Sequence, residues 1–315
     1  FKQKTAYEIY QCDWSSDVCS SDLTAVWVLP CLRSSGAPVA TSKRWDDLLP
    51  SLSLTVKLAG SQQLRVSASR TLARPEYREL SPIISRDVVG GENLRGDETL
   101  QRTNVLNADV RWEAYPSPGE VLAIAAFAKR FTNPIERVYG SGSGGTSFVF
   151  FTNALAADNY GIEAEFRRDL DVVHRALAPL SLFANATVMQ SMIHLAPNTQ
   201  ASATNLRRRM VGQAPYVVNS GLTYTSRSGQ SSATILYNRV GARLTAAGSS
   251  PLPDVVQQAR NVADLSVRLG VAPGVTFRAD AKNLLDAPYV ITQGSVTREW
   301  YRAGRVFQAG VVWRP

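Results

Sequence analysis

The sequence is thin in the residues on which most site chemistry depends. Two histidines and three cysteines are spread over 315 positions. His174 falls on a short connection and His194 beside a long one, with no third ligand near either. Neither a metal centre nor a catalytic base is therefore expected; solvated loop histidines are the plainer reading. No Gly-x-Ser-x-Gly elbow supports a nucleophilic triad. Gly140-Ser141-Gly142-Ser143-Gly144-Gly145 lacks the lysine and following helix of a phosphate loop, and is expected to be a mobile loop tip. Nothing points to an enzyme, a cofactor or a metal.

Long apolar runs are also missing. None approaches the ~18 residues that a membrane-crossing helix needs. Hydrophobic residues make up 44% and charged residues 19%, which excludes a disordered chain. The net charge of +8 raises nucleic-acid binding. The basic residues, however, alternate with apolar ones along the chain. The one cluster, Arg207-Arg208-Arg209, has no aromatic platform around it. No nucleic-acid partner is expected.

The first 23 residues are polar, aperiodic and unlike the rest of the chain. They match the conceptual translation of a sequencing adapter: Phe1–Ile9, a variable index of Tyr10, Gln11 and Cys12, then Asp13–Leu23. Residues 1–23 are expected to be an unstructured artefact, 24–49 an irregular stub and loop, and 50–315 the folded unit. Cys12 and Cys19 then drop out. Cys31 alone forms neither a disulfide within the chain nor a cysteine metal site. The true N-terminus is expected upstream, so the want of a leader says nothing about compartment.

From Pro50 onward, two-residue alternation dominates. Leu52, Leu54, Val56 and Leu58 alternate with Ser51, Ser53, Thr55 and Lys57; Leu106, Ala108, Val110 and Trp112 alternate with Asn107, Asp109, Arg111 and Glu113. Such segments are strands with one apolar and one polar face. The pattern predicts eleven strands: Ser51–Ala59, Gln63–Arg70, Asn104–Ala114, Val121–Thr132, Asp158–Arg168, Leu180–Met192, Tyr216–Thr225, Ser231–Leu244, Ala259–Val271, Val275–Asn283 and Arg305–Arg314.

A soluble antiparallel sheet alternates too, but the connections here also alternate. Short ones lie at Gly60–Gln62, Tyr115–Glu120, Asp169–Pro179, Ser226–Gln230 and Ala272–Gly274. Long ones lie at Thr71–Thr103, Asn133–Ala157, Ile193–Pro215, Thr245–Gln258 and Leu284–Gly304. Outer-membrane barrels have short turns on one side and long loops on the other. Apolar-face aromatics make two belts: Trp112, Phe166, Tyr224 and Trp313 near short turns, and Tyr160, Tyr216 and Phe307 near long loops. Rings favour the two membrane interfaces.

The expected fold is therefore all-β, a partial transmembrane antiparallel barrel of about eleven strands. Its first and last strands both run toward the short-turn side. Joining them would need a parallel pair, so an open curved sheet is expected.

Several motifs resemble those of TonB-dependent outer-membrane receptors. Ser69-Arg70-Thr71-Leu72-Ala73-Arg74-Pro75, with Glu79-Leu80, is similar to the family's entry into a long extracellular loop. So are Asn159-Tyr160-Gly161-Ile162-Glu163, Asn283-Leu284-Leu285-Asp286 with Tyr289, and Tyr301, Gly304, Arg305 and Phe307 before the last strand. Asn93-Leu94 with Glu98 fits less well, because Gly91-Glu92 stands where the family has Asn-Pro. The resemblance runs from about Arg44 to Pro315.

It implies a barrel of about 22 strands around a plug, of which residues 50–315 would be the C-terminal half, with the plug absent. It implies TonB-coupled uptake of a scarce nutrient (siderophore, cobalamin, glycan or peptide) across the bacterial outer membrane. The expected partners are the TonB complex, outer-membrane lipid, the barrel-assembly machinery and a small nutrient ligand. Loop residues Arg207, Arg208, Arg209, Trp300 and Tyr301 are candidates to touch substrate. The family usually ends on an aromatic residue read during assembly. Here the end is Trp313-Arg314-Pro315, so Phe307, Val311 and Trp313 are the candidate signal. Inward charges, among them Arg65, Asp109, Arg111, Glu163, Glu165, Arg167, Asp264, Arg268, Arg278, Asp280 and Lys282, would line the interior and pair across strands or with a plug. Two alternatives remain: a passive porin, which an upstream plug would exclude, and a soluble β-structured binding protein or adhesin, which heat-modifiable migration would exclude.

Overall fold

The computed structural model describes residues 29–32, 38–41, 46–86, 93–141, 147–196 and 202–314. Phe1–Leu23 lies outside the described residues, as do 142–145 of the glycine-rich stretch and the following Thr146. Within the 24–49 stub, Leu29–Leu32 pairs antiparallel with Pro38–Thr41 as a two-stranded sheet.

One sheet of eleven strands forms a wall. Its members are Ser51–Lys57, Gln62–Ala73, Thr103–Ala114, Val121–Thr132, Ala156–Asp169, Leu180–His194, Tyr216–Thr225, Ser232–Val240, Arg260–Ala272, Val275–Lys282 and Val306–Trp313. Order along the sheet follows order along the chain, and every adjacent pair is antiparallel. The alternation of Leu, Val and aromatic residues with polar ones dictates this: each strand buries neither face alone and finds its partner at the next turn. Short turns close tightly. Gly119 and Gly274 take φ of 86° and 71°, a left-handed conformation that a side chain would strain.

Among the described residues, Ser51–Lys57 pairs only with Gln62–Ala73, and Val306–Trp313 only with Val275–Lys282. No ladder among them joins the two end strands, and the sheet curls as an open half-barrel. Its convex face exposes Leu52, Leu54, Leu106, Ile124, Ile162, Val188, Ile235 and Val311. Such a row of exposed apolar side chains is unusual for a face in water and has the pattern of the outer face of a membrane barrel.

The expected strand 231–244 is shorter than its pattern. It leaves the wall after Val240, where the Gly241 amide donates to the Tyr216 carbonyl. The remainder, Arg243–Gly248, belongs to a second sheet. That sheet corrects the expectation of plain loops. Eight strands pair in the order Val296–Tyr301, Tyr289–Gln293, Val255–Gln257, Arg243–Gly248, Ile135–Ser141, Ser147–Asn153, Asn93–Arg95 and Ile84–Ser85. All eight come from long connections, and two of the pairings are parallel joins between segments of different connections. Leu94, Tyr139, Val149, Ala246 and Val255 form its buried apolar cluster.

Candidate functional site

The concave face of the wall and the loop sheet at one end of it make the candidate site. On the concave face, register brings polar side chains from seven strands into one row: Lys57, Gln63, Glu113, Glu165, Asn185, Asn219 and Asn238, with Ala123 between the two glutamates. Three of them form an asparagine ladder. Asn238 donates to Asn219 at 2.5 Å, and Asn219 donates to Asn185 at 2.7 Å. Asn185 and Thr187 thus face the inner side of the wall, in register with Glu165 and Glu163.

Glu113 is the hub of the charged part. Its carboxylate accepts from Gln63 Nε2, from Arg111 Nε at 2.5 Å and from the Tyr115 hydroxyl at 2.9 Å. Arg111 also donates through Nη2 to Glu165 at 2.7 Å, and Arg65 approaches Glu113 at 3.8 Å. Two rows from Glu113, Ser67 donates to Asp109 at 2.6 Å. Cross-strand pairing of this kind holds charged side chains in fixed positions on a wall facing water or another protein segment. Arg65 and Arg111 face each other in register with Glu113 reaching both; Arg268 and Arg278 also oppose each other directly and are both exposed. Like charges in that register repel.

The family-like motifs divide between the wall and the loop cap. A Cβ on Gly161 would lie 2.7 Å from Phe127 Cζ and 2.6 Å from the Val188 carbonyl oxygen, so the glycine makes room for a ring on the concave face. Asn283 has φ of 54° and staples three segments: its amide donates to Asp264, its side chain donates to the Gly304 carbonyl, and its Oδ1 accepts from Ala287. Tyr77–Leu80 forms a single helical turn with a reciprocal capping box between Glu76 and Glu79. The Glu79 and Ser81 carbonyls take the amides of Asp97 and Gly96. Burial, its largest cause, raises the Glu79 carboxyl above its ordinary pKa.

The loop cap holds the candidate substrate residues in unequal states. Arg208 is withdrawn from the surface and makes a bidentate pair with buried Glu136. That corrects the expectation that it reaches substrate: a guanidinium committed to a buried carboxylate is not available to a ligand. Arg207 and Arg209 on either side of it are exposed. Trp300 and Tyr301 are exposed on an edge strand of the loop sheet. Tyr301 stacks on Tyr289 with centroids 4.9 Å apart, and Arg302 lies 5.8 Å from the Trp300 ring. Burial first, then Tyr301 and Glu299 beside it, raise the Tyr289 phenol above its ordinary pKa.

His174 accepts the Ala176 amide at 3.1 Å, and His194 meets Asp158 at 3.0 Å. Among the described residues, no group of three or more His, Cys, Asp or Glu is placed to hold a metal. Phe307, Val311 and Trp313 line up on the convex face of the last strand, 70%, 67% and 71% exposed. Sequence reasoning missed the hub Glu113 and the buried Glu136. Glu113 had a usable signal in its alternation with Trp112, whereas Glu136 sat in a segment read as loop.

An antiparallel wall with an apolar convex face, a charged concave face and all long loops at one end is the architecture of an outer-membrane barrel. A family model described as TonB dependent receptor-like, beta-barrel, matches residues 25–284. The chain belongs to that family of transport receptor barrels, which is not a class of enzymes. No curated protein sequence matches it. Solved structures with the same fold include a variant of the ferric enterobactin receptor PfeA from Pseudomonas aeruginosa (17% identity, TM-score 0.56, 85% of this chain and 40% of that one). The siderophore receptor PirA from Pseudomonas aeruginosa has 18% identity and a TM-score of 0.54, over 84% of this chain and 41% of that one. The copper transporter OprC has 19% identity and a TM-score of 0.63, over 90% and 42%. The chain thus spans about two fifths of the length of these structures.

Proposed function

We propose that the full-length protein imports a scarce small nutrient across the bacterial outer membrane by TonB-coupled transport. The observation that carries this reading is the loop cap: five long connections knit together at one end of the wall, above a concave face of fixed charges. A cap of that kind selects a ligand before it reaches the interior. Arg207, Arg209, Trp300 and Tyr301 are its exposed contacts, two cations and two aromatic rings suited to an anionic or conjugated ligand. Arg208 acts instead by holding Arg207 and Arg209 in place. A plug from the N-terminal part of the protein would cover the opposed Arg268 and Arg278, and TonB would act on that part.

The ferric enterobactin receptor, siderophore receptor and copper transporter among the structural neighbours make iron chelates and copper the first ligands to try. The full-length gene should restore uptake of one labelled ligand in a receptor-deficient host, and deletion of TonB should abolish it. Uptake that persists without TonB would replace this reading with a passive porin. Phe307, Val311 and Trp313 are proposed as the surface read by the barrel-assembly machinery. Their replacement by Ser should lower the amount of heat-modifiable protein in the outer membrane.

A further inference from the structure

Three neighbouring strands differ from the rest of the concave face. Leu180–His194, Tyr216–Thr225 and Ser232–Val240 carry two basic residues, His194 and Arg239, and alternation turns both to the convex face. Their concave positions hold only Asn, Thr, Ser, Gly and apolar residues. Charged sectors flank them, with Arg65, Arg111, Glu113 and Glu165 on one side and Arg268 and Arg278 on the other. From the loop side toward the turns, the Asn185–Asn219–Asn238 ladder is followed by a row of Phe183, Gly221 and Leu236. Thr223 and Thr234 come next, their hydroxyls 3.0 Å apart. Successive rows lie about 7 Å apart along the strands.

Phe183 does not stand up into the interior. A Cβ on Gly221 would lie 2.5 Å from Cζ of that ring and 2.9 Å from Leu236 Cδ2. The ring therefore rests across the neighbouring strand, against the wall, where the glycine leaves room for it. It adds an apolar step without narrowing the interior. The ladder uses one hydrogen each of the Asn219 and Asn238 amides. Their second hydrogens, and both on Asn185, have no partner among the described residues and can meet a passing oxygen. Such donors hold an anionic oxygen without a fixed charge, and charge-assisted pairs between two ions are roughly twice as strong as neutral ones. Transit needs binding weak enough to release. In the flanking sector a ligand would instead have to part Arg111 from Glu113 and Glu165.

We propose that, given TonB-coupled import by the full-length protein, the passage through the barrel opens along these three strands. An anionic, oxygen-bearing ligand exchanges hydrogen bonds with Asn185, Asn219 and Asn238, crosses the Phe183 ring, and leaves past Thr223 and Thr234. The charged sectors on either side seat the N-terminal part that closes the barrel, since fixed ion pairs give a second protein segment a defined place.

Cysteine labelling in cells tests this, in full-length protein otherwise free of cysteine. Lys57, at the same depth as Asn219 but on the far end strand, is the reference. A small maleimide should label Asn219→Cys severalfold faster in cells that have TonB than in cells that lack it. Lys57→Cys should label at one rate in both. Thr223→Cys, outside the ladder, repeats the measurement should Asn219→Cys assemble poorly; heat-modifiable migration identifies folded protein. A TonB-dependent rise at Lys57→Cys that equals or exceeds the rise at Asn219→Cys and Thr223→Cys would overturn the proposed passage while leaving import intact. Labelling that is the same with and without TonB at all three positions would overturn both.

Discussion

Arg208 and Glu136 meet in a bidentate ion pair, Nη1 to Oε1 at 3.0 Å and Nη2 to Oε2 at 2.5 Å, with both side chains almost wholly buried. The pair ties the 195–215 connection to the loop sheet, and the Val211 amide reinforces it at 3.4 Å from Glu136. Removing one partner strands a buried charge, which costs about 3–5 kcal/mol. Arg208→Ala should therefore loosen the cap and raise protease cleavage within 195–215 while leaving the wall intact. Arg208→Met with Glu136→Leu should recover protection, since an apolar pair of similar volume leaves no charge unmatched. Cleavage in the double variant as fast as in Arg208→Ala would deny the pair this role.

The two faces of the wall should respond oppositely to charge. Val267 and Phe277 are on the convex face, and Ser266 and Thr276 on the concave face. Arginine at Val267 or Phe277 in the full-length protein should cost about 2–4 kcal/mol if placed near the bilayer midplane. The same change at Ser266 or Thr276 should be mild. Folding titrations in lipid that give equal losses on both faces would contradict the assignment of faces.

Gly161 should tolerate no side chain. Its hypothetical Cβ sits 2.6 Å from the Val188 carbonyl oxygen and 2.7 Å from Phe127. Overpacking of this kind costs about 1–3 kcal/mol, so Gly161→Val should lower the midpoint of unfolding. Adding Phe127→Ala should return part of the loss but not all, because the backbone contact at Val188 remains. Full recovery would mean that the ring alone sets the requirement.

The raised pKa of Glu79 makes the contacts around Tyr77–Leu80 firmer in acid than at neutral pH. A carboxyl whose folded pKa lies above its unfolded value binds its proton more tightly when folded. Its favourable contribution is complete below the unfolded pKa and is lost as pH rises through the folded one. Amides of Gly96 and Asp97, bonded to the Ser81 and Glu79 carbonyls, should thus show greater protection after correction for intrinsic exchange at acid pH than at neutral pH. Glu79→Gln keeps the cap geometry without a titrating proton and should flatten the dependence. An unchanged pH profile in that variant would place the titration elsewhere.

Much of the wall is readable from the sequence because its information is local. Side chains on a strand alternate with period two, so Leu106, Val110 and Trp112 against Asp109, Arg111 and Glu113 declare two faces without reference to any other strand. A hairpin then fixes register through the length of its turn. Long loops carry no such period. Ile135–Ser141 pairs in parallel with Ala247 and Gly248, more than a hundred residues away, and nothing in the alternation of either segment names the other. Trp300 and Tyr301 stand out in the sequence as loop aromatics, and they prove to lie on an edge strand of the cap. Arg208 looks identical to Arg207 and Arg209 in the sequence; only a glutamate from another loop separates it from them.

By itself, then, the sequence determined the strands of the wall, their two faces, the side on which the long connections gather and the open ends of the sheet. These follow from side-chain alternation and turn length, which act between neighbours in the chain. The tertiary structure decided that the long connections build a second sheet, that Glu113 rather than any one arginine anchors the concave charges, and that Arg208 is buried. Those outcomes depend on contacts between distant segments, where burial and the pairing of charge select one arrangement that no local pattern encodes.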